Sequence, residues 1–207
     1  MEFQQSPLVL TGARLIGEGG HKRVYVHPGD DSLCVKILLH GEEDSDWRKE
    51  MRYRRSREKR GLSSQLLTRF YGSQPLADGR VGYIFERVRD YDGQDSRSLR
   101  EYLDEGGTRL KPDLVLAGLL SFRELLLEEK VITSNMESSN FLIQWVSPGE
   151  YRVRIVDNIG SPVTIPLIFY IDFLALHHVK KYWERFVCDL HRRYPLVITE
   201  AVAARLR

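Results

Sequence analysis

Two side chains with oxygen donors stand in the second half of the chain at places where they could hold a metal ion. Asn140 lies in the segment "VITSNMESSNFLI", residues 131–143, and Asp157 follows the apolar run of "RIVDNIG". An amide carbonyl and a carboxylate that converge from neighbouring strands form a hard, oxygen-rich site suited to Mg²⁺ and phosphate groups. The letters "DNIG" are also typical of a plain turn, so this pair alone leaves both interpretations open.

A glycine-rich segment near the start of the chain is suited to the approach of phosphate groups. The letters "GEGGHKRV", residues 17–24, lie between two predicted strands. Glycines there would let backbone N–H groups come close to phosphates. Gly17, Gly19 and Val24 match the protein-kinase pattern G-x-G-x-x-G-x-V, whereas Lys22 replaces its third glycine. An ordinary glycine hairpin is the alternative.

Charged residues that could neutralise the phosphates follow in the kinase order. Lys36 lies in "CVKIL", a predicted strand, and Glu50 lies in the predicted helix that follows. In a kinase-like lobe the strand lysine faces the phosphates and a helix glutamate pairs with it. Glu58 is a weaker candidate for the same role. The alternative is a lysine and glutamates that face solvent.

Asn135 stands where a protein kinase has its catalytic aspartate. Asn135 and Asn140 have the spacing D-x-x-x-x-N of the catalytic loop, but the usual H-R-D reads Thr133-Ser134-Asn135. An amide can hydrogen-bond a substrate hydroxyl but cannot accept its proton. Glu137 is a candidate for a displaced base. Because Asn140 and Asp157 complete four ordered matches, the sequence predicts a kinase-like protein that binds ATP and Mg²⁺ and lacks the usual base.

The pattern of elements predicts an α+β, two-lobed architecture. Residues 1–88 read as a β-rich lobe with one basic helix, and residues 89–207 as a reduced helical lobe with the catalytic-like loop. Glu86 to Val88, after the strand "VGYIF", would connect the lobes, and the backbone there would meet the adenine. Helices are predicted in "SRSLREYLDEGG", in "KPDLVLAGLLSFRELLLEEKV" and along a face that includes Phe173, Val179, Trp183 and Leu190.

Composition excludes several classes of protein. The 207 residues are 42% hydrophobic and 29% charged, with a formal net charge of +2, so no strong global field attracts nucleic acid or a membrane. Cys34 and Cys188 have no metal-ligand spacing, which suits a reducing cytoplasm. The start shows no export signal, and the longest apolar stretch, 165–176, is too short to cross a bilayer. We expect a cytoplasmic protein without membrane insertion.

The predicted helix carries an uneven charge. Between Arg48 and Arg60 eight Arg or Lys residues stand against two Glu, and four of the cations share one helical face: Arg48, Arg52, Arg55 and Lys59. This basic stripe is either a solvated face or a surface for nucleic acid or an acidic partner. Tyr53 is the one aromatic residue within it, so nucleic acid is not the expected partner.

The sequence resembles the YrbL family of Gram-negative bacteria, called PhoP regulatory network proteins. The likeness runs from about Leu15 to Phe186 and rests on "VYVHPGDDSLCVKI", "VITSNMESSNFLI", "YWERFV" and, most specifically, "DNIGSPVTIPL". The resemblance implies a truncated, minimal protein-kinase-like fold and a role in the magnesium-responsive PhoP/PhoQ regulon. It does not supply a biochemical activity.

Three functions therefore stand as hypotheses. The first is a nucleotide-binding pseudokinase that acts as a regulatory module, with a regulatory protein partner left open. The second is an active atypical kinase that phosphorylates a small molecule or a protein. The third is a module that binds an acidic partner or nucleic acid through residues 48–60.

Overall fold

The structure is a computed structural model that describes residues 6–39, 45–106, 108, 110–161 and 166–207. Five antiparallel strands form the first sheet: β1 (Leu15–Glu18), β2 (Lys22–Val26), β3 (Leu33–Leu38), β4 (Phe70–Pro75) and β5 (Val81–Glu86). Their order across the sheet is β1-β2-β3-β5-β4. The turns that join neighbouring strands, at residues 27–31 and at Asp78-Gly79, have the Pro, Gly and Asp residues that such turns need.

A single helix, α1 (Ser45–Lys59), lies between β3 and β4 along the chain. Trp47 of α1 packs on one face of the sheet with Tyr83 and Phe85 of β5. Gly61 follows the helix with φ +65°, a conformation that glycine adopts at little cost at a helix end. The predicted acidic start of this helix, Glu42 to Asp44, lies outside the described residues.

The opposite face of the first sheet is covered by the N-terminal segment. Val35, Ile37 and Ile84 form a separate buried cluster there, against which Leu8 and Leu10 pack. The alternation along β3 thus sends Val35 and Ile37 to this face. It sends Cys34, Lys36 and Leu38 towards α1, because successive side chains of a strand point to opposite faces.

The second half of the chain is mostly helical around a small sheet. Its elements are β6 (Arg97–Ser98), α2 (Leu99–Asp104), α3 (Pro112–Glu128), β7 (Phe141–Ser147), β8 (Glu150–Ile155), α4 (Asp172–Arg193) and α5 (Glu200–Leu206), with short 3₁₀ helices at Ser138–Asn140 and Pro166–Phe169. The order of the second sheet is β6-β7-β8. Ser98 and Glu101 form a capping box at the start of α2, and Pro112 begins α3.

The largest core lies in this half. Trp183 and Phe186 of α4 are 2% exposed and pack against Phe122 and Phe141. The expected α+β class and the kinase-like order of elements are confirmed. One expectation from the sequence was wrong: Phe173 was predicted on the apolar face of α4 that includes Trp183, but it is 75% exposed. It lies in the first turn of the helix, and at 3.6 residues per turn its side chain points about 80° away from that of Trp183.

No helix in the described part of the chain has the length and apolar character needed to cross a membrane.

Candidate functional site

A cleft of about 630 Å³ lies between the first sheet and the helical half of the chain. Its roof is the turn between β1 and β2, and its back is formed by β3 and the end of β5. Its floor comes from residues 95–101 and from the 3₁₀ turn before β7. Eight of the nine predicted nucleotide and metal residues line it, all except Glu50: Gly17, Gly19, Val24, Lys36, Glu86, Val88, Asn140 and Asp157.

The roof is held by backbone pairing. Gly17 pairs with Val24 across the β1–β2 ladder, and Gly19 donates its N–H to the carbonyl of Lys22 at 2.9 Å. A Cβ on Gly17 would lie 3.6 Å from Cβ of Val24, which is ordinary contact, whereas a Cβ on Gly19 would meet nothing within 4 Å. Gly19 therefore leaves open space above the cleft.

Lys36 lies inside the molecule and is 5% exposed, so the solvent-facing alternative is wrong for this lysine. Its Nζ donates to the carbonyl of Val156 at 3.1 Å and lies 4.3 Å from the centre of the Phe85 ring. Burial is the largest influence and lowers its pKa, while the charges of Glu50 and Asp157 oppose that effect. A buried ammonium at the back of a cleft is poised to gain from an incoming anion.

Glu50 is also buried, at 3% exposure, but its nearest partner is not Lys36. The carboxylate accepts a hydrogen bond from Nε of Arg54 at 2.8 Å, one helical turn further along α1. Arg54 also donates to the carbonyl of Thr68 at 2.8 Å, which ties α1 to the strand region beside the cleft. Glu50 acts on Lys36 by longer-range attraction between their charges. Arg54 lies beside the site but is not among the residues predicted from the kinase pattern.

The carboxylate of Asp157 contacts a cation from the β1–β2 hairpin, which forms the roof of the cleft. An oxygen of its carboxylate forms an ion pair with the ammonium of Lys22, the residue that replaces the third glycine of the kinase pattern. Burial alone would raise the pKa of Asp157, but the positive charges of Lys36 and Lys22 outweigh it, so the pKa is lowered. The carboxylate is thus held ionised and already paired.

The loop that carries the polar residues is anchored by main-chain bonds. Ser134 N–H donates to the carbonyl of Asn158 at 2.7 Å, Gly160 N–H to that of Ile132 at 2.8 Å, and Val156 N–H to that of Asn140 at 3.0 Å. These bonds place Asn140 beside Asp157, and both residues border a smaller pocket of about 250 Å³ under the glycine turn. Glu50 and Glu137 border the same pocket.

Asn135 is placed differently from the other polar residues. It is exposed and borders a separate depression beside α4. Its side-chain amide donates to the carboxylate of Glu137, whose second oxygen lies 3.9 Å from Arg100. The structure therefore brings Glu137 to Asn140 and Asp157, and it leaves Asn135 to the side.

The connection between the two halves is fixed by a network of ion pairs. Arg87 is buried and bonds Asp95 at 2.6 Å, and it also contacts Asp31 at the end of the β2–β3 turn. Arg14 bonds the other oxygen of Asp95 at 2.6 Å. At the connection itself, the carbonyl of Val88 accepts from Ser96 N–H at 3.2 Å. Arg87 and Asp95 both line the cleft and had no motif signal, since their pairing joins separate segments of the chain.

The donors present suit one divalent cation bound together with phosphate groups. Asn140 and Asp157 offer one amide oxygen and one carboxylate, and within the described residues no group of three His, Cys, Asp or Glu side chains is placed to hold a metal alone. The ammonium of Lys22 already occupies one oxygen of Asp157. A cation would therefore have to displace Lys22 or use the remaining oxygen.

A glycine turn, a buried strand lysine, Asn140 and Asp157 thus border one cleft, in the order along the chain that the kinase pattern predicts. The family described as "PhoP regulatory network protein YrbL" matches residues 8–191. The chain belongs to this family. Two curated relatives, each named "Uncharacterized protein YrbL", come from Escherichia coli (strain K12) and Shigella flexneri. Each is 28% identical over 190 residues, which cover 90% of this chain and 85% of the relative.

The solved structures that resemble the chain include two mutant forms of the Mycobacterium tuberculosis PknI kinase domain. They align with TM-scores of 0.45 and 0.44 at 15% identity and cover 72% of this chain. The chain spans 59% of the length of that kinase domain.

Proposed function

We propose that the protein is a nucleotide-binding, kinase-like regulatory module of the pseudokinase type. The observation that carries the proposal is the buried ammonium of Lys36, which faces a cleft that also holds Asp157 and Asn140. Burial of a charge without a close counter-ion is unfavourable, and a nucleotide phosphate would offset that cost. The adenine would lie against Val24 and Val88, which line the apolar part of the same cleft.

The residues around the cleft favour nucleotide binding over catalysis of phosphate transfer. Lys36 and Lys22 would attract the phosphates, and Gly19 leaves room for them above the cleft. Mg²⁺, when bound, would neutralise phosphate charge beside Asn140 and Asp157. At the position of the usual base stands Asn135, which is exposed and hydrogen-bonded to Glu137. A role in the PhoP network is a regulatory one. It fits a protein that acts through the binding of nucleotide in its cleft rather than through phosphate transfer.

Thermal unfolding with ATP tests the proposal. We expect wild type to be stabilised by ATP, by about 2.7 kcal/mol when the ligand is a hundred times its dissociation constant and binds only the folded state. Lys36→Met and Asp157→Asn should lose most of that stabilisation while remaining folded, because each keeps the volume of the side chain. Lys180→Met, at an exposed position on α4, is the matched control and should keep it. Absence of any shift in wild type at millimolar ATP contradicts the proposal.

A second candidate, an active atypical kinase, is favoured by the position of Glu137. This carboxylate borders the small pocket with Asn140 and Asp157, where it could accept the proton of an acceptor hydroxyl. We expect phosphate transfer from radiolabelled ATP to be absent or very slow. If transfer is measured, it should fall by about 10²–10⁴-fold in Glu137→Gln. Asn135→Ala removes only a hydrogen bond to that carboxylate and should reduce transfer by less.

A further inference from the structure

A second groove lies beside α1, opposite to the side that faces the nucleotide cleft residues. It measures about 750 Å³ and is bordered by α1, β4, β5 and the 3₁₀ turn at 166–169. The whole basic stripe predicted from the sequence lines it: Arg48, Arg52, Arg55 and Lys59, all exposed. Among the described residues that line the groove, none is acidic.

The floor of the groove is apolar. Trp47 and Tyr83 pack together at 3.9 Å between ring centres, and Met51 and Phe70 are partly buried beside them. The hydroxyl of Ser56, which is 6% exposed, lines the groove and has no hydrogen-bond partner in the described structure. A buried hydroxyl without a partner is uncommon and is satisfied when a ligand supplies one.

The far wall is fixed in place. The ring of Phe169 lies 5.1 Å from that of Tyr53, and Arg60 donates to the carbonyl of Phe169 while its guanidinium lies 5.8 Å from the Tyr170 ring. Tyr170 is 57% exposed, and three further exposed apolar side chains lie close to it in the sequence: Leu167, Ile171 and Phe173. The groove therefore opens onto an apolar patch of the kind that marks contact sites.

Two of the cations are available for a partner. In the part of the chain that the structure describes, Arg55 and Lys59 form no ion pair, although they stand one helical turn apart on the groove's edge. Arg55 and Lys59 at the edge of an apolar floor favour a ligand with the opposite charge and an apolar side chain of its own. Trp47 and Tyr83 are buried, and Tyr170 is the one exposed aromatic residue among the described residues that line the groove. The groove thus lacks a row of open rings on which successive bases could stack, which favours protein over nucleic acid.

We propose that this groove is the docking site for an acidic protein segment that inserts an aromatic or large aliphatic side chain between α1 and β4. Its carboxylates would pair with Arg55 and Lys59, and its apolar side chain would cover Met51 and Phe70. Because α1 also carries Glu50, a partner seated there touches the helix that borders the smaller pocket with Asn140 and Asp157. The site is separate from the nucleotide site, and the inference holds whether or not ATP binds.

The test is a selection of short random peptides displayed on phage, followed by fluorescence anisotropy of the enriched peptides. We expect enriched peptides to combine several Asp or Glu residues with an aromatic or large aliphatic residue, and their binding to weaken steeply as salt is raised. The double variant Arg55→Glu/Lys59→Glu should bind them at least about tenfold more weakly. Lys180→Glu/Lys181→Glu makes the same change of charge at exposed positions on α4 and should bind as wild type does.

Three results would overturn the proposal. One is a set of enriched peptides that lacks acidic residues or binds both double variants equally well. Another is a short DNA duplex that binds more tightly than any peptide and is lost in Arg55→Glu/Lys59→Glu, which would assign the groove to nucleic acid. The last is peptide binding that arises only after Glu42, Glu43 and Asp44 are changed to Gln, which would assign it to the chain's own acidic segment. Circular dichroism of each variant confirms that it is folded.

Discussion

Lys22 is the residue at which this chain departs most from an ordinary glycine loop. Its ammonium pairs with Asp157, one of the two residues predicted to hold a metal ion. The positive charge of a lysine thus stands where a divalent cation would otherwise approach. The nucleotide binding proposed above should accordingly depend less on Mg²⁺ than it would with a third glycine.

The variant Lys22→Gly tests whether the ammonium of Lys22 takes the place of Mg²⁺ beside Asp157. Removal of the ammonium frees the carboxylate of Asp157, so we expect the affinity for ATP to rise by about tenfold or more when Mg²⁺ is added, against a small rise in wild type. Isothermal titration with ATP at several Mg²⁺ concentrations measures the difference. Lys22→Arg, which keeps the charge, should behave as wild type. A variant whose ATP affinity falls and no longer responds to Mg²⁺ would show instead that Lys22 chiefly binds phosphate.

The candidate site was predictable from the sequence where its parts are local. Gly17, Gly19 and Val24 share one turn, and Lys36 follows on the next strand, so short patterns and their order are sufficient to predict them. The ion pair between Lys22 and Asp157 was not predictable, since it joins segments far apart in the chain. Arg54 had a local signal, the i,i+4 spacing to Glu50, but the kinase pattern pairs the helix glutamate with Lys36 instead.

At the scale of elements, the turn after β8 holds α1 against the catalytic-like loop. Gly160 in this turn has φ +100°, and a Cβ there would lie 2.9 Å from the carbonyl oxygen of Lys49 in α1. Its N–H donates to Ile132 in the loop. Tyr53 of α1 adds hydrogen bonds to both sides of the same loop, donating to Lys130 and accepting from the N–H of Ile132. The turn thus sets the distance between Asp157 and the helix that carries Glu50.

Gly160→Ala should therefore destabilise the protein and loosen α1. We expect a loss of about 2–4 kcal/mol in the free energy of unfolding, from the strained φ together with the clash against backbone. Urea denaturation measures it. Gly149→Ala is the matched control: its φ is +87° but a Cβ there meets nothing within 4 Å, so it should lose only about 1–2 kcal/mol. Equal losses in the two variants would mean that the contact with Lys49 has no role.

The helices and strands were largely predictable from the sequence, whereas the exposure of individual side chains was not. The periodicity of "KPDLVLAGLLSFRELLLEEKV" predicts α3, and alternation predicts β3, because both patterns are local properties of the chain. Phe173 shows the limit: the apolar period continues into the first turn of α4, yet this side chain is 75% exposed. Exposure depends on tertiary packing, which the period of one helix does not contain.

At the scale of the whole molecule, one histidine joins the last long helix to the loop of the candidate site. His178 of α4 is 9% exposed, stacks on Tyr182 at 4.2 Å and contacts the carbonyl of Thr133 at 2.8 Å through Nε2. Burial is the main cause that lowers the pKa of His178, with repulsion from Lys181 and His177 in the same direction. The hydrogen bond to Thr133 opposes the shift but does not reverse it. The imidazole is therefore neutral in the folded protein around neutral pH.

This neutral imidazole makes the stability of the fold depend on pH in a defined direction. The unfolded chain binds a proton at the usual pKa of 6.5, whereas the folded chain binds it only at a lower pH. Stability is then full above 6.5 and falls as the pH drops from 6.5 towards the lowered pKa, by at most about 1.4 kcal/mol for each pH unit. Urea denaturation of wild type between pH 8 and 5 should show this loss beside the contributions of the other groups.

His178→Gln isolates the contribution, because the glutamine amide can still donate to Thr133 but does not titrate. We expect its stability curve to be flatter than that of wild type below pH 6.5. His177→Gln, at an exposed position on the same helix, should follow wild type closely, because His177 is only the smallest cause of the lowered pKa of His178. Parallel curves for wild type and His178→Gln would contradict the assignment. Since His178 holds the loop that carries Asn135 and Glu137, protonation would loosen the candidate site before the rest of the fold. ATP stabilisation should therefore decline over the same pH range in wild type and persist in His178→Gln.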